Sequence, residues 1–305
     1  MVDILLATYN GEKYIEEQLN SLLNQSFCEI KIIIRDDNST DRTIEIIKEY
    51  CDKFPDKVSL VEDNIITNSS TKNFMQLIMY ASSEYVMFCD QDDYWEPSKV
   101  EMTYKKMKEI EKSLGGDIPV LVYTNYIIVD ENLKEIEGYK NNKKIYSKLT
   151  FNKLLVENYV TGCTIMINKS LYKNINGYDK RILMHDWWIA LYASAFGEIS
   201  YIPDKLMKYR QHGNNCVGAV NLKSIKYRIG KILNVDSHKS KELCYQQAKG
   251  FMEIYGDDLR EPIKNKLEIF LELSKYNKIK RVFYLLKGNY LKSDLVRILG
   301  QIWFV

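Results

Sequence analysis

The chain has 305 residues, 46% of them hydrophobic and 28% charged, with a net charge of +2. This globular composition fits one large or two modest domains, and it excludes a membrane-spanning protein because no uncharged apolar run approaches the roughly 18 residues a span needs. Six cysteines without CxxC spacing (Cys28, Cys51, Cys89, Cys163, Cys216, Cys244) and three scattered histidines exclude a disulfide framework, a zinc site and a His-based metal cage.

Residues 2–7 predict a strand, and 12–23 a helix with Ile15, Leu19, Leu22 and Leu23 on one face. A second strand is expected at 30–34 and a second helix at 40–54, opened by the capping candidates Ser39 and Thr40. A strand at 58–61, a helix over about 73–81 and the apolar run Tyr85-Val86-Met87-Phe88-Cys89 continue the alternation. This βαβαβαβ order predicts an α/β fold with a Rossmann-like, mostly parallel sheet flanked by helices. Pro97 fits the first turn of a long helix running to about Leu114. After Gly115-Gly116-Asp117, strands are expected at 120–123 and 126–129, a polar loop over 130–148, a helix at 151–157, a strand at 164–167 and an apolar helix at 187–196. Beyond Gly218 the chain reads as a basic, helical C-terminal extension.

The small net charge hides an asymmetry. Residues 221–305 carry 17 basic and 9 acidic side chains, and residues 1–220 carry 26 and 32. An acidic body with a basic tail predicts a tail that meets an anionic surface. Residues 264–297 interleave nine Lys or Arg with aromatic and aliphatic residues, the pattern of a helix lying on an anionic membrane. The other reading is a packing helix with a solvated basic face. Strand-like sequence begins at the first residues, so no signal peptide is expected; with the thiols read as buried and reduced, the expected location is cytoplasmic, peripheral on the inner face of the membrane. Nothing suggests nucleic acid as a partner, and a homodimer is left open.

The chemistry gathers at strand ends. Asp90-Gln91-Asp92-Asp93 leaves the C-terminal end of the apolar run 85–89, where open α/β sheets bind ligands. Carboxylates this close repel unless a cation sits among them. A hard divalent ion, Mn²⁺ or Mg²⁺, is the natural partner and suits a phosphate-bearing substrate. Three further clusters lie at strand or helix ends: Ala7-Thr8-Tyr9-Asn10-Gly11, Asp36-Asp37-Asn38-Ser39-Thr40-Asp41, and His185-Asp186-Trp187-Trp188. Neighbouring parallel strands would bring the first three to one rim.

Taken in order, TYNG, DDNSTD and DQDDYW resemble a family 2 glycosyltransferase of the GT-A fold, and TGCTIMIN, MHDWWIALYASAFG and YRQHGNN resemble a bacterial, rhamnosyltransferase-like branch that builds surface polysaccharides. The resemblance covers residues 1 to about 220. It implies a nucleotide-sugar-binding half over 1–116, an acceptor-binding half over 117–220, and the helical region 221–305. It implies a metal-dependent, inverting transfer from a nucleotide-sugar donor, dTDP-rhamnose or otherwise a UDP-hexose, to a glycan or lipid-linked acceptor. Thr8, Tyr9 and Asp37 would line the nucleotide pocket, with Asp37 reading the pyrimidine; the other reading of Asp37 is a turn or cap residue. Asp90 and Asp92 match the family's DxD. Asp92 would be the direct metal ligand, Asp90 nearer the ribose or metal, and Asp93 beside them. Asp186 would be the catalytic base, with Trp187 and Trp188 excluding water; a helix cap is compatible with that role. His185 stands where many relatives carry an acid, which leaves open whether it orients Asp186 or touches the acceptor. His212 would complete the metal or diphosphate site, against a surface-polar alternative. Lys72 and Arg210 are weaker diphosphate candidates. Trp95 would wall the sugar pocket or sit in the core. Two alternatives stand beside this reading: a nucleotidyltransferase, for which TYNGEKY lacks the usual Gly-rich basic loop, and an inactive relative serving as a glycan-binding or assembly partner.

Overall fold

The computed structural model describes residues 1–137, 149–175, 177–212, 236–293 and 295–303. Its backbone falls into two compact units: residues 1–141, 160–178 and 197–219 form the first, and residues 142–159, 179–196 and 220–305 the second.

The first unit is built on a sheet of order β3-β2-β1-β4-β7-β6-β8-β5. Its strands are β1 (Val2–Thr8), β2 (Ile30–Asp36), β3 (Val58–Leu60), β4 (Tyr85–Asp90), β5 (Tyr94–Trp95), β6 (Val120–Val129), β7 (Ile165–Asn168) and β8 (Glu198–Arg210). β3, β2, β1 and β4 run parallel, and β6 pairs parallel with β8; β7 and β5 run antiparallel to their neighbours. The mostly parallel α/β sheet expected from the element order is present. β6 is one strand where two were expected, and β5 and β8 come in addition. Ile4, Leu5 and Leu6 of β1 and Val86, Met87 and Phe88 of β4 are all 0% exposed, as befits central strands covered on both faces.

Helices α1 (Ile15–Leu23), α2 (Thr43–Lys53), α3 (Ser70–Leu77) and α4 (Lys99–Leu114) cover the sheet. α1 buries Ile15, Leu19 and Leu22, the i, i+4, i+7 stripe read from sequence. Each such side chain contributes about 1.5–3 kcal/mol by leaving water. α2 begins three residues later than expected: Ser39 is engaged elsewhere, and Asp41 Oδ1 accepts the Thr43 amide at 3.0 Å. α3 is capped by Ser69, whose Oγ accepts from the Lys72 amide. α4 stops at Gly115, whose φ of +98° suits glycine. Short α5 (Phe151–Leu154) belongs to the second unit, and α6 (Lys169–Tyr172) follows β7 in the first.

The second unit packs α7 (His185–Phe196), α8 (Asp236–Tyr255), α9 (Glu261–Glu272), α10 (Lys278–Lys287) and α11 (Leu295–Trp303). Its core is aromatic. Trp188 meets Phe251 at 5.3 Å between ring centroids, and Phe251 and Tyr192 meet Tyr255 at 5.0 and 5.1 Å. Among the described residues no helix is long and apolar enough to cross a membrane. Cys89, Cys163 and Cys244 are buried as expected, whereas Cys28 is exposed.

Candidate active site

Register brings three of the clusters to one rim. Thr8 pairs with Asp36 across β1–β2, and Ala7 with Asp90 across β1–β4, so three loops leave the sheet at the same level. Asn10 and Asn38 turn the first two loops with φ of 48° and 69°, the left-handed region that Asn tolerates. The loops are stitched together by the Asn10 amide donating to Ser39 Oγ (2.8 Å), the Thr40 amide to Asn10 Oδ1 (2.8 Å), and the Gly11 amide to Thr43 Oγ1 (2.7 Å). Gln91 staples the third loop to the first: its Oε1 accepts the Tyr9 amide at 2.8 Å, and its Nε2 donates to the Tyr9 carbonyl at 2.9 Å. A Cβ on Gly11 would lie 2.3 Å from Gln91 Oε1, so this staple needs glycine there. Sequence reasoning singled out neither Gln91 nor Asp36, which ties Thr8 Oγ1 (2.7 Å) to Ser39.

Tyr9 is 55% exposed at the rim, while Thr8 is buried. Asp37 is also buried, with Oδ1 accepting the Thr67 amide (2.7 Å) and Oδ2 the Thr67 hydroxyl (2.9 Å). Behind it, fully buried Arg35 lies 3.7 Å from Asp37 and pairs with Asp63 at 2.8 Å. Lys72 is half-buried, its ammonium 5.3 Å from the Tyr178 ring centre.

Asp92 and His212 meet across 120 residues of sequence, Oδ2 to Nε2 at 2.7 Å, both part-exposed. β8 delivers His212, and Tyr14 stacks on its ring at 4.9 Å. A carboxylate oxygen beside an imidazole nitrogen, both part-exposed, is a donor set that fits Mn²⁺, a transition metal, better than the oxygen-seeking Mg²⁺. Asp90, part-exposed as Asp92 is, goes elsewhere: with buried Asp93 and Cys163 it forms a second cluster whose ligand atoms lie within 4.8 Å of one another. Burial, then the Asp92 charge, pushes Asp90 up to about 7, and burial drives Asp93 and the Cys163 thiol well above their ordinary values. A protonated thiol is a poor ligand for a hard cation, so this inner cluster fits the ion less well than Asp92 and His212 do.

Arg210 and Trp95 are both placed inside the protein. Arg210 is 2% exposed and bound to protein: its amide donates to Asp93 Oδ1 (3.1 Å), its Nε to the Asp92 carbonyl (2.7 Å), and its remaining nitrogens to the Glu131 carbonyl and Glu17. It shapes the acidic loop rather than facing a diphosphate. Trp95 is 0% exposed, its ring 3.4 Å from the Lys99 ammonium, which is the core position that stood beside the sugar-pocket reading.

His185, Asp186 and Trp187 lie in the second unit, in the first turn of α7. Asp186 is inside the helix rather than at its cap, because α7 starts at His185. Asp186 Oδ1 accepts from Asn158 Nδ2 (3.0 Å) and from the Trp187 amide (2.6 Å), and Trp187 Nε1 donates to the Leu154 carbonyl. Burial lowers His185 to about 3, and the positive end of α7 also opposes its protonation. The folded pKa lies below the unfolded value of about 6.5, so the neutral ring contributes stability that is lost as pH falls through about 6.5 towards 3. Between pH 6.5 and 4.5 denaturant melts are expected to lose about 2–3 kcal/mol to this one group. A His185→Gln variant should lack that component; a variant with the wild-type pH slope would contradict the assignment.

Mostly parallel strands with acidic loops gathered at their carboxyl ends define the site of a nucleotide-sugar-dependent transferase of the GT-A type. The model of the family described as "Glycosyl transferase family 2" matches residues 3–175, and the chain belongs to that family. It is 33% identical over 245 residues to the dTDP-rhamnosyl transferase RfbG of Shigella flexneri, covering 75% of this chain and 79% of that protein. Among solved structures it is similar to S. aureus TarS 1-349 in complex with UDP (TM-score 0.58, 19% identity, 94% of this chain and 75% of that one). It is also similar to the mannosyltransferase PcManGT of Pyrobaculum calidifontis in complex with GDP-Man and Mn²⁺ (TM-score 0.53, 14% identity, 99% and 87%). The chain is thus a glycosyltransferase, and the nucleotidyltransferase alternative falls away.

Proposed function

We propose that this glycosyltransferase moves rhamnose from dTDP-rhamnose to a glycan or lipid-linked acceptor in surface-polysaccharide synthesis, with inversion and with a divalent cation held by Asp92 and His212. The observation that carries the metal-assisted reading is the Asp92–His212 contact at the rim of the acidic loops. The donor rests on likeness to the Shigella rhamnosyltransferase. When bound, the cation would neutralise charge on the leaving diphosphate. The protein's own groups do the rest. Tyr9 offers an exposed ring for the base to pack on. Asp37, held through both oxygens by Thr67 and backed by Arg35, reads the pyrimidine with the lone pairs that Thr67 does not use. Lys72 is available to the diphosphate. Asp186 takes the proton of the acceptor hydroxyl.

A panel of nucleotide sugars tests this by thermal stabilisation with and without Mn²⁺. A ligand at 100 times its Kd stabilises by about 2.7 kcal/mol. dTDP-rhamnose with Mn²⁺ is expected to give the largest shift. A larger shift with a UDP-hexose would overturn the sugar, and equal shifts in chelator would overturn the metal.

α10 supports a location on an anionic membrane surface. Ile279, Phe283 and Leu286 fall at i, i+4, i+7 and are 85%, 56% and 52% exposed, while Leu285 is buried. Residues 273–293 hold six basic and no acidic side chains. Such a stripe with a basic border suits an anionic membrane, where each nearby cation contributes about 1 kcal/mol. The protein is expected to co-sediment with anionic vesicles and not neutral ones, to release as salt shortens the screening length, and to lose binding in an Ile279→Glu/Phe283→Glu variant. Binding indifferent to lipid charge and salt would sink this mechanism.

A further inference from the structure

Lys99 takes no part in the transfer described above, yet it is among the most costly residues in the first unit to bury. Its side chain is 0% exposed. Its ammonium donates to the Cys163 carbonyl (2.5 Å), lies 3.2 Å from Met207 Sδ, and sits 3.4 Å from the centre of the Trp95 ring. All three neighbours are neutral, and among the described residues no carboxylate lies within 4 Å of its Nζ. A buried cation is expensive unless opposite charge compensates it.

That charge lies on the far side of Cys163. The residue whose carbonyl holds Lys99 also presents its Sγ within 4.8 Å of the Asp90 and Asp93 carboxylates. Asp93 Oδ2 is buried with no hydrogen-bond partner, so it has been taken out of water without a donor to replace it. Both carboxylates favour the charged form of Lys99, against the burial that brings it down to about 8. The two halves share one arrangement: an acidic pair short of donors, and an ammonium short of anions, separated by one residue.

We propose that Lys99 is the internal counter-ion of the Asp90–Asp93 pair, a positioning residue that holds the acidic loop in shape before any divalent cation arrives. The loop then need not wait for a metal to relieve carboxylate repulsion, and Asp92, at the rim, is left to receive the ion.

A charge-balance cycle tests the proposal. Lys99→Met, Asp90→Asn/Asp93→Asn, and the triple combination are melted in chelator; Met keeps the aliphatic volume and Asn keeps the oxygen that accepts the Arg210 amide. Lys99→Met and the Asn pair should each lower the melting temperature by about 5–10 °C, and the triple variant should regain most of that loss. A triple variant that melts at the sum of the two losses would overturn the proposal. Should Lys99→Met fail to accumulate, a soluble, cooperatively melting triple variant supports it, and failure of both overturns it. This arm needs neither metal nor donor, so its outcome is independent of the proposed transfer. A second arm, resting on the Asp92 metal assignment, titrates Mn²⁺ without donor into Lys99→Met. Several-fold weaker binding is expected because the loop is no longer held in shape, and unchanged or tighter binding would refute the positioning role.

Discussion

Replacing Asp92 with alanine is expected to take sugar transfer down by about 10³-fold or more and to abolish Mn²⁺-dependent donor binding. The physical reason is the position of this one carboxylate. Asp90 shares a cluster with buried Asp93 and Cys163, whereas Asp92, part-exposed like Asp90, lies against His212. Of the acidic loop's three carboxylates, Asp92 is the one paired with a part-exposed imidazole, a second possible ligand at the rim. Loss of folding will not mimic the result, because one side-chain hydrogen bond such as Asp92–His212 contributes about 0.5–1.5 kcal/mol net. The variant should therefore melt within a few degrees of wild type in chelator. His212→Ala should weaken metal binding less severely, since the carboxylate charge remains. Undiminished transfer by Asp92→Ala, or full wild-type activity in excess chelator, would refute the assignment.

The part of this site that was legible in sequence is the part written in strand ends. Thr8, Asp37 and Asp90–Asp93 each follow an apolar run, and parallel register then sets them side by side. What stayed hidden depends on β8. Its residues EISYIPDKLMKYR carry no clean alternation, because the pairing with β6 slips between Thr124 and Asn125, where Pro203 and Asp204 are accommodated as a bulge. Without that strand, nothing in the residues themselves distinguishes Arg210 from a solvated arginine, and only the family resemblance sets His212 beside Asp92. With it, the arginine is an internal brace and the histidine lies against Asp92. β5 was missed for a plainer reason: two residues, Tyr94 and Trp95, are too few to show a period. Lys99 was invisible because a lysine in the first turn of an amphipathic helix ordinarily faces water. The basic tail is not uniform along its length. α10 exposes Ile279, Phe283 and Leu286, and α11 exposes Leu299, whereas α9 turns Ile263, Leu267 and Phe270 into the second unit's core. The sequence 213–235, including Cys216 and the Gly213-Asn214-Asn215 stretch, lies outside the described residues.

Asp186→Asn is expected to keep donor and metal binding while turnover falls by at least about 10²-fold, the usual scale of general-base catalysis. The substitution is conservative where it matters for folding. Asp186 Oδ1 accepts from Asn158 Nδ2 and from the Trp187 amide, and an asparagine oxygen can accept both. What the amide cannot do is take a proton from an acceptor hydroxyl. The expected signature is thus a fall in kcat with an unchanged donor Kd and an unchanged melting temperature, together with loss of the acidic limb of the pH–rate profile. Asn158→Ala supplies the complementary measurement: it leaves the carboxylate in place and removes the donor that aims it, so it should lower turnover by no more than about tenfold. If Asp186→Asn instead loses donor affinity and keeps its rate, the carboxylate is a binding group. If Asn158→Ala falls as far as Asp186→Asn, the hydrogen bond between them, rather than proton transfer, governs the rate. A drop confined to Asp186→Asn, with donor binding intact, leaves proton abstraction as the step at which this residue acts.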